Sequence, residues 1–257
     1  MERLHPIDSP EAMIAAIRHF GILPFFRCGV PGWSVEELTA PGCWIFEDDE
    51  AVLGPWDWKI DAVREGDIAY GKFLGGKAAF ATAEWYLKLM AWRRSQPRWR
   101  LASGGRFKAT TQHDRLMKVL APLALEAIRA AGALESRELR ILCAQQLTPS
   151  HFRTLGAGYR TKLLPTVKKS VMDGVVQFLQ MGTWTVIGDF ERVYRGPALT
   201  YEGWQRASNT TPDELFSLIP GFDTASEISP EEARNAIIGH IHKLFPGADV
   251  KKLERLV

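Results

Sequence analysis

LPTVKKSVMDGVVQFLQMGTWTVIGDFERVYR, residues 164–195, combines two patterns that predict the architecture of the second half of the chain. Its apolar side chains recur at a helical interval, at Leu164, Val167, Val171, Val175 and Phe178. This stripe predicts a helix over 164–180. Two β-prone runs then flank Gly188-Asp189, a pair typical of a tight hairpin loop. A helix followed by a hairpin is the closing part of a winged helix, a helix-turn-helix variant.

Upstream patterns supply the other winged-helix elements. An apolar helical stripe predicts a helix over 114–131, and Ser136 is the predicted N-cap of a second, short helix. The order is therefore helix, helix, helix, hairpin, although residues 148–163 form a longer insertion than this variant normally has.

The first half of the chain has a different pattern. Glycines at 75–76 predict the turn of a β-hairpin formed by 67–73 and 77–81, and an aromatic helix follows from Ala83 to about Arg94. The sequence thus predicts a helix-rich α+β fold with winged-helix units, β-hairpins and a helical C-terminus. Its expected units are an N-terminal α+β unit (1–105), a winged-helix unit (106–205) and a C-terminal helical segment (206–257).

Length and composition exclude several classes of protein. At 257 residues with 46% apolar residues, the chain is an ordinary globular protein, and no apolar run is long enough to span a membrane. The charged, proline-containing N-terminus predicts a cytoplasmic protein. Three separated cysteines and scattered histidines predict neither a disulfide framework nor a metal site. The sequence 71–78 resembles a phosphate-binding loop but ends in Ala78 instead of a hydroxyl residue, so no cofactor is expected.

Charge is strongly segregated along the chain. Residues 31–67 hold ten acids and two bases, a net charge of −8, whereas residues 86–118 hold nine bases and one acid, a net charge of +8. The two blocks either pair with each other, within or between chains, or leave a basic surface for a polyanion. Pairing between subunits would make the protein an interaction scaffold.

A second group of basic side chains brackets the predicted third helix and hairpin. Its predicted nucleic-acid contacts are Lys162, Lys168, Lys169, Arg192 and Arg195, with Trp184 supporting the hairpin. In a winged helix these positions would meet a nucleic-acid groove and its phosphates, and we favour DNA over RNA. The alternative is a solvated face of a protein-interaction domain.

Trp56-Asp57-Trp58-Lys59 is unusually dense in aromatic and charged side chains. One interpretation is a half-buried strand with tryptophan in the core. The other is a pocket with Asp57 and Glu84 as candidate catalytic carboxylates, for an enzyme or a small-ligand protein. The candidate pocket residues are Trp56, Trp58, Lys59, Tyr70, Lys72 and Arg93.

Several motifs of the first 95 residues carry a family resemblance. They are Ile22-Leu23-Pro24-Phe25-Phe26, Gly54-Pro55-Trp56-Asp57-Trp58-Lys59, Ala69-Tyr70-Gly71-Lys72-Phe73, Gly76-Lys77-Ala78-Ala79-Phe80, Glu84-Trp85 and Arg93-Arg94. The chain resembles a family of bacterial proteins related to the AlkZ-type DNA glycosylases. The resemblance implies tandem winged-helix units and a nucleic-acid partner. We expect the chemistry of those glycosylases not to carry over, because Gln145-Gln146-Leu147 has the wrong spacing for their Gln-x-Gln or Gln-x-Asp signature.

Overall fold

The computed structural model describes residues 6–44, 54–101, 111–222 and 228–257. The acidic run 47–50, the bases Arg106 and Lys108, and the expected unit boundary near residue 105 lie outside these ranges. The described part is an α+β fold of helices around one antiparallel sheet.

The described helices are α1 (Pro10–Phe20), α2 (Val35–Leu38), α3 (Pro55–Arg64), α4 (Ala83–Ser95), α5 (Gln112–Ala131), α6 (Ser136–Gln145), α7 (Pro149–Leu155), α8 (Arg160–Leu163), α9 (Lys169–Met181), α10 (Pro212–Leu215), α11 (Pro230–Leu244) and α12 (Val250–Leu256). The described strands are β1 (Ile22–Pro24), β2 (Ile68–Leu74), β3 (Lys77–Thr82), β4 (Ala133–Glu135), β5 (Val186–Arg195) and β6 (Thr200–Thr210).

The strands form one sheet in the order β1-β3-β2-β5-β6-β4. The predicted N-terminal hairpin is confirmed as β2–β3, and the predicted aromatic helix is confirmed as α4. Within the described residues, β2 and β5 share a single register pair, Tyr70 with Ile187. This junction joins the N-terminal strands to the ribbon β5–β6.

Two hydrophobic cores lie on either side of that junction. The first core combines residues from 7–90 with β5 and with C-terminal side chains such as Phe216, Ile237 and Leu253. The second core is built from α5, α6 and α9, including Leu120, Leu139 and many side chains of the predicted third-helix stripe. The C-terminal helices α11 and α12 therefore pack against the N-terminal half of the chain.

The predicted hairpin turn at Gly188-Asp189 is wrong, because β5 runs unbroken from 186 to 195 and turns to β6 at 196–199. Gly188 instead marks an irregularity in the register between β5 and β6. A Cβ atom at Gly188 would lie 2.9 Å from Thr210 Cγ2, so the glycine permits a close approach of the two strands. Glycine in a β-prone run thus indicated a bulge, not a turn.

Three further expectations need correction. The third helix begins at Lys169 and not at 164, because Pro165 disfavours the helical conformation in Leu164, whose ψ is 145°. The N-cap of α6 is Glu135 and not Ser136. Finally, Trp56–Lys59 is helical and not a strand, because Pro55 occupies the first turn of α3 and Asp57 is an acid in that turn.

Candidate nucleic-acid interface and the Asp57 cluster

Asp57 lies buried in the first turn of α3 and is only 6% exposed. Its Oδ1 accepts hydrogen bonds from the Tyr201 hydroxyl and, at 2.9 Å, from Gln205 Nε2. Arg192 Nε lies 3.4 Å from the same oxygen. We call Asp57, Arg192, Tyr201 and Gln205 the Asp57 cluster. Since the three partners all come from β5 and β6, the cluster fastens this ribbon to α3.

The register of the ribbon explains how the cluster forms. Arg192 on β5 is paired directly with Gln205 on β6. Tyr201 and Gln205 are four residues apart on one strand, so their side chains share a face, and Gln205 Nε2 also donates to Tyr201 Oη at 2.9 Å. Burial and the hydrogen bond to Asp57 raise the pKa of Tyr201 to about 12. The tyrosine therefore stays protonated and keeps donating to the carboxylate at neutral pH.

Lys59 follows two positions later on α3 and is 1% exposed. Its ammonium donates to the Trp56 carbonyl and lies 3.3 Å from the Trp56 ring centroid and 4.9 Å from that of Phe190. Burial lowers the pKa of Lys59 to about 7, against the opposing charge of Asp57. The lysine is thus held mainly by aromatic faces and one carbonyl.

Lys59 makes stability depend on pH. Because the pKa of Lys59 is about 7 in the fold and its ordinary value is 10.5, the unfolded chain binds more protons between these pH values. The free energy of unfolding should therefore rise from pH 7 towards pH 10, by up to about 1.4 kcal/mol per pH unit. Below pH 7 the contribution of Lys59 to this free energy should not change with pH. Denaturant unfolding of wild type and Lys59→Met at pH 7, 8 and 9 measures the difference. Parallel pH profiles of the two proteins would contradict the assignment.

The other predicted pocket residues are not gathered in one place. Glu84 is exposed on α4 and pairs with Lys88 at 2.6 Å, so Asp57 and Glu84 have different partners. Arg93 is buried and donates to the carbonyls of Phe73 and Leu256 at 2.9 and 2.8 Å, which ties α4 to β2 and α12. Trp58 is a buried member of the first core.

Phe190 contacts two of the remaining members of that set. The Lys59 ammonium lies 4.9 Å from its ring centroid, and the Tyr70 ring lies 5.7 Å from it, centroid to centroid. Tyr70 and Lys72 then line a groove of about 360 Å³ together with residues of α9 and β6. The structure therefore divides the predicted pocket into the Asp57 side and this groove.

A surface rich in exposed cations precedes α9. Residues 150–169, here called the basic segment, contain no acid and five bases. All five are exposed: Arg153, Arg160, Lys162, Lys168 and Lys169. Lys169 also pairs with Asp173 at 2.9 Å. Residues 148–163, the insertion predicted from the sequence, fold into α7, a 3-10 turn and α8 and present most of this basic surface.

Main-chain bonds hold the basic segment in place. Lys168 N donates to the Lys162 carbonyl at 3.0 Å, and Val167 N donates to the Arg140 carbonyl at 3.1 Å. Arg140 Nε in turn donates to the Val167 carbonyl at 2.6 Å. Arg160 and Lys162 also lie over the rings of Phe152 and Tyr159. Lys162 and Lys168 are therefore presented on a fixed backbone.

The outer part of the ribbon β5–β6 exposes aromatic and apolar side chains. Tyr194 is 53% exposed, Leu199 69% and Trp204 57%. The Arg195 guanidinium lies 5.3 Å from the Trp204 ring centroid. Arg192, by contrast, turns towards Asp57. Trp184 lies before the ribbon, where its Nε1 donates to the Trp99 carbonyl at 2.8 Å and Arg94 stacks over its ring.

Sequence reasoning missed Tyr201, Gln205 and Trp204. Their signal was the alternation of side chains along β6, which becomes informative only once the register with β5 is known.

Within the described ranges, no group of three or more metal-ligating side chains is present. No described helix is both long and apolar enough to cross a membrane. The acidic block 31–67 supplies four described acids that form ion pairs with arginines. Glu65 and Asp67 pair with Arg18, Glu36 pairs with Arg27, and Asp57 pairs with Arg192.

Comparison with known families places the chain in a class. It matches the family described as AlkZ related over residues 7–257. The protein therefore belongs to this AlkZ-related family, which confirms the resemblance found in the sequence. Comparisons with curated proteins and with solved structures gave no match.

Proposed function

We propose that this protein binds duplex DNA, in preference to RNA, through the basic segment and the outer part of the ribbon β5–β6. The observation that carries the proposal is the basic segment, with five exposed bases and no acid. Cations held on a fixed backbone bind phosphates and release condensed counterions, which gives strong binding at low salt. Membership of the AlkZ-related family supports a DNA partner.

We also propose that residues 106–205 work as a winged-helix unit between the units 1–105 and 206–257. Three helices, α5, α6 and α9, share the second core, and β4 pairs with β6 beside the ribbon. In this arrangement α9 approaches a DNA groove with Lys168 and Lys169 at its start, and the ribbon acts as the wing.

The wing would add aromatic contacts to the phosphate contacts. Arg195 stacked on Trp204 offers both a charge and a flat surface, and Tyr194 and Leu199 are exposed nearby on the ribbon. Side chains of this kind stack on bases or pack against sugars without reading sequence. The interface should therefore tolerate many sequences.

Asp57 would be a positioning residue and not a catalytic one. Excision of a base requires a carboxylate or amide that is free to orient water at the sugar. Asp57 Oδ1 is already engaged by Tyr201, Gln205 and Arg192, and Glu84 is paired with Lys88. One string with the spacing of the glycosylase signature, Gln112-His113-Asp114, begins α5, but its Asp114 carboxylate accepts from Thr111 N at 2.9 Å in a capping box. We therefore propose DNA binding without assigning excision.

The proposal is tested by measuring the affinity for one labelled duplex between 50 and 200 mM salt. Five phosphate contacts should lower the affinity by roughly 10²–10³-fold over this range. The same series with single-stranded DNA and with duplex RNA measures the preference for duplex DNA. Absence of binding to any nucleic acid at 50 mM salt would contradict the proposal.

A further inference from the structure

A groove opens beside the junction of β2 and β5. Next to the register pair Tyr70–Ile187 of β2 and β5, the side chain of Gln180 on α9 hydrogen-bonds to the sheet. Gln180 Oε1 accepts from Lys72 N at 3.0 Å, and its Nε2 donates to Asn209 Oδ1 at 3.2 Å. The buried amide thus bridges β2 to β6 and forms part of the wall of a cavity of about 360 Å³.

The lining of this groove has three chemical zones. Its floor is apolar and includes Ile187, Phe190 and Ala207. Hydrogen-bonding groups on α9 form one edge, where Asp173 and Gln177 lie one helical turn apart. The Gln177 amide donates at 3.9 Å to the Met181 thioether, a weak acceptor, so it remains available for a better partner.

The third zone of the groove is a rim of positively charged side chains. Lys72 on β2 and Lys169 on α9 both line it and are both exposed. Lys169 is also the last residue of the basic segment, so the surface proposed to meet phosphates leads directly into the groove. The apolar floor suits the face of a base, and the hydrogen-bonding edge suits the polar atoms of that base. The cationic rim suits its phosphate.

We propose that the groove receives a single unstacked nucleotide from the bound DNA. The inference rests on the proposed DNA binding and adds to it a site that holds one base apart from the duplex. A volume of about 360 Å³ lies within the range of small-molecule sites and accommodates a base with its sugar. The base contacts the floor, and Gln177 binds its polar edge. Asp173 pairs with Lys169 at 2.9 Å in the free protein, and in the complex Asp173 turns to the polar edge of the base while Lys169 and Lys72 bind the flanking phosphates.

The test uses a duplex with one 2-aminopurine opposite an abasic position, because the fluorescence of this base rises when it leaves the stack. Saturating wild-type protein should raise the fluorescence. Val176 on α9 also lines the groove, so Val176→Phe narrows it and should abolish the rise while retaining the affinity for DNA. Val250→Phe makes the same change at an exposed position of α12 and should retain both. Gln177→Ala, a change that leaves the floor intact, should reduce the rise.

The outcomes separate the two proposals. Loss of DNA binding in every protein, including wild type, contradicts the proposed function itself. Binding by wild type without a fluorescence rise, or an equal rise with Val176→Phe, overturns the groove inference alone. If Val176→Phe fails to fold, as shown by its melting curve, an unchanged rise with both Gln177→Ala and Asp173→Ala also overturns it.

Discussion

Replacement of Asp57 by alanine is expected to lower the free energy of unfolding by roughly 2–4 kcal/mol. The change leaves the Tyr201 hydroxyl and Gln205 Nε2 without their shared acceptor and the Arg192 guanidinium without its carboxylate. Arg192 is 34% exposed, so water replaces part of the lost interaction and the full cost of a buried ion pair does not apply. The expected fall in melting temperature is about 5–12 °C.

Conservative variants distinguish the charge from the hydrogen bonds. Asp57→Asn keeps one acceptor oxygen and should cost less than Asp57→Ala, and Tyr201→Phe should cost about 1–2 kcal/mol because it removes a single donor. Hydrogen exchange supplies the local measurement: amides of the outer ribbon, 191–206, should exchange faster in Asp57→Ala, whereas those of the N-terminal hairpin should not. Uniform acceleration across the sheet would show that Asp57 does not specifically fasten the ribbon.

Reversal of two charges in the basic segment is expected to have the largest effect on DNA binding. Lys162→Glu with Lys168→Glu removes two phosphate contacts and places two carboxylates near the backbone. The affinity at low salt should fall on the order of 100-fold or more. Both side chains are exposed, so the melting temperature should change little.

A matched control distinguishes the loss of phosphate contacts at Lys162 and Lys168 from a general effect of net charge. Lys243→Glu with Lys251→Glu makes the same change in net charge at exposed positions of α11 and α12. We expect the control to lower the affinity only a few-fold, because long-range attraction is screened at physiological salt. Equal losses in the two double variants would mean that net charge and not the basic segment governs binding.

Local signals predicted most of the regular elements. Ser9, Thr211 and Ser229 are N-caps whose side chains accept from the backbone, and each is followed by proline, as their sequence pattern indicates. The β2–β3 hairpin is also local, since Gly75 and Gly76 both adopt positive φ in its turn. Gly54-Pro55 places a proline at a helix start in the same way but without a side-chain cap, and the dense aromatic residues that follow favour a strand or a pocket over a helix.

The candidate site depends on contacts that no local pattern contains. The hydrogen bond between Tyr201 and Asp57 joins residues 144 positions apart. The turn predicted at Gly188-Asp189 pairs 183–187 with 190–194, whereas in the structure 186–195 is one strand paired with 200–210. Because no strand is predicted over 200–210, the sequence does not place Arg192 opposite Gln205 or turn it towards Asp57. The exposed lysines of the basic segment were predictable because charge on a solvated surface needs no partner.

The salt dependence of the double charge reversal tests most directly whether Lys162 and Lys168 contact phosphates. The slope of log affinity against log salt counts the counterions released from one DNA duplex. Loss of two contacts should make this slope shallower by about two units in Lys162→Glu/Lys168→Glu relative to wild type. The slope of Lys243→Glu/Lys251→Glu should equal that of wild type. Identical slopes in wild type and Lys162→Glu/Lys168→Glu would contradict DNA binding by this surface.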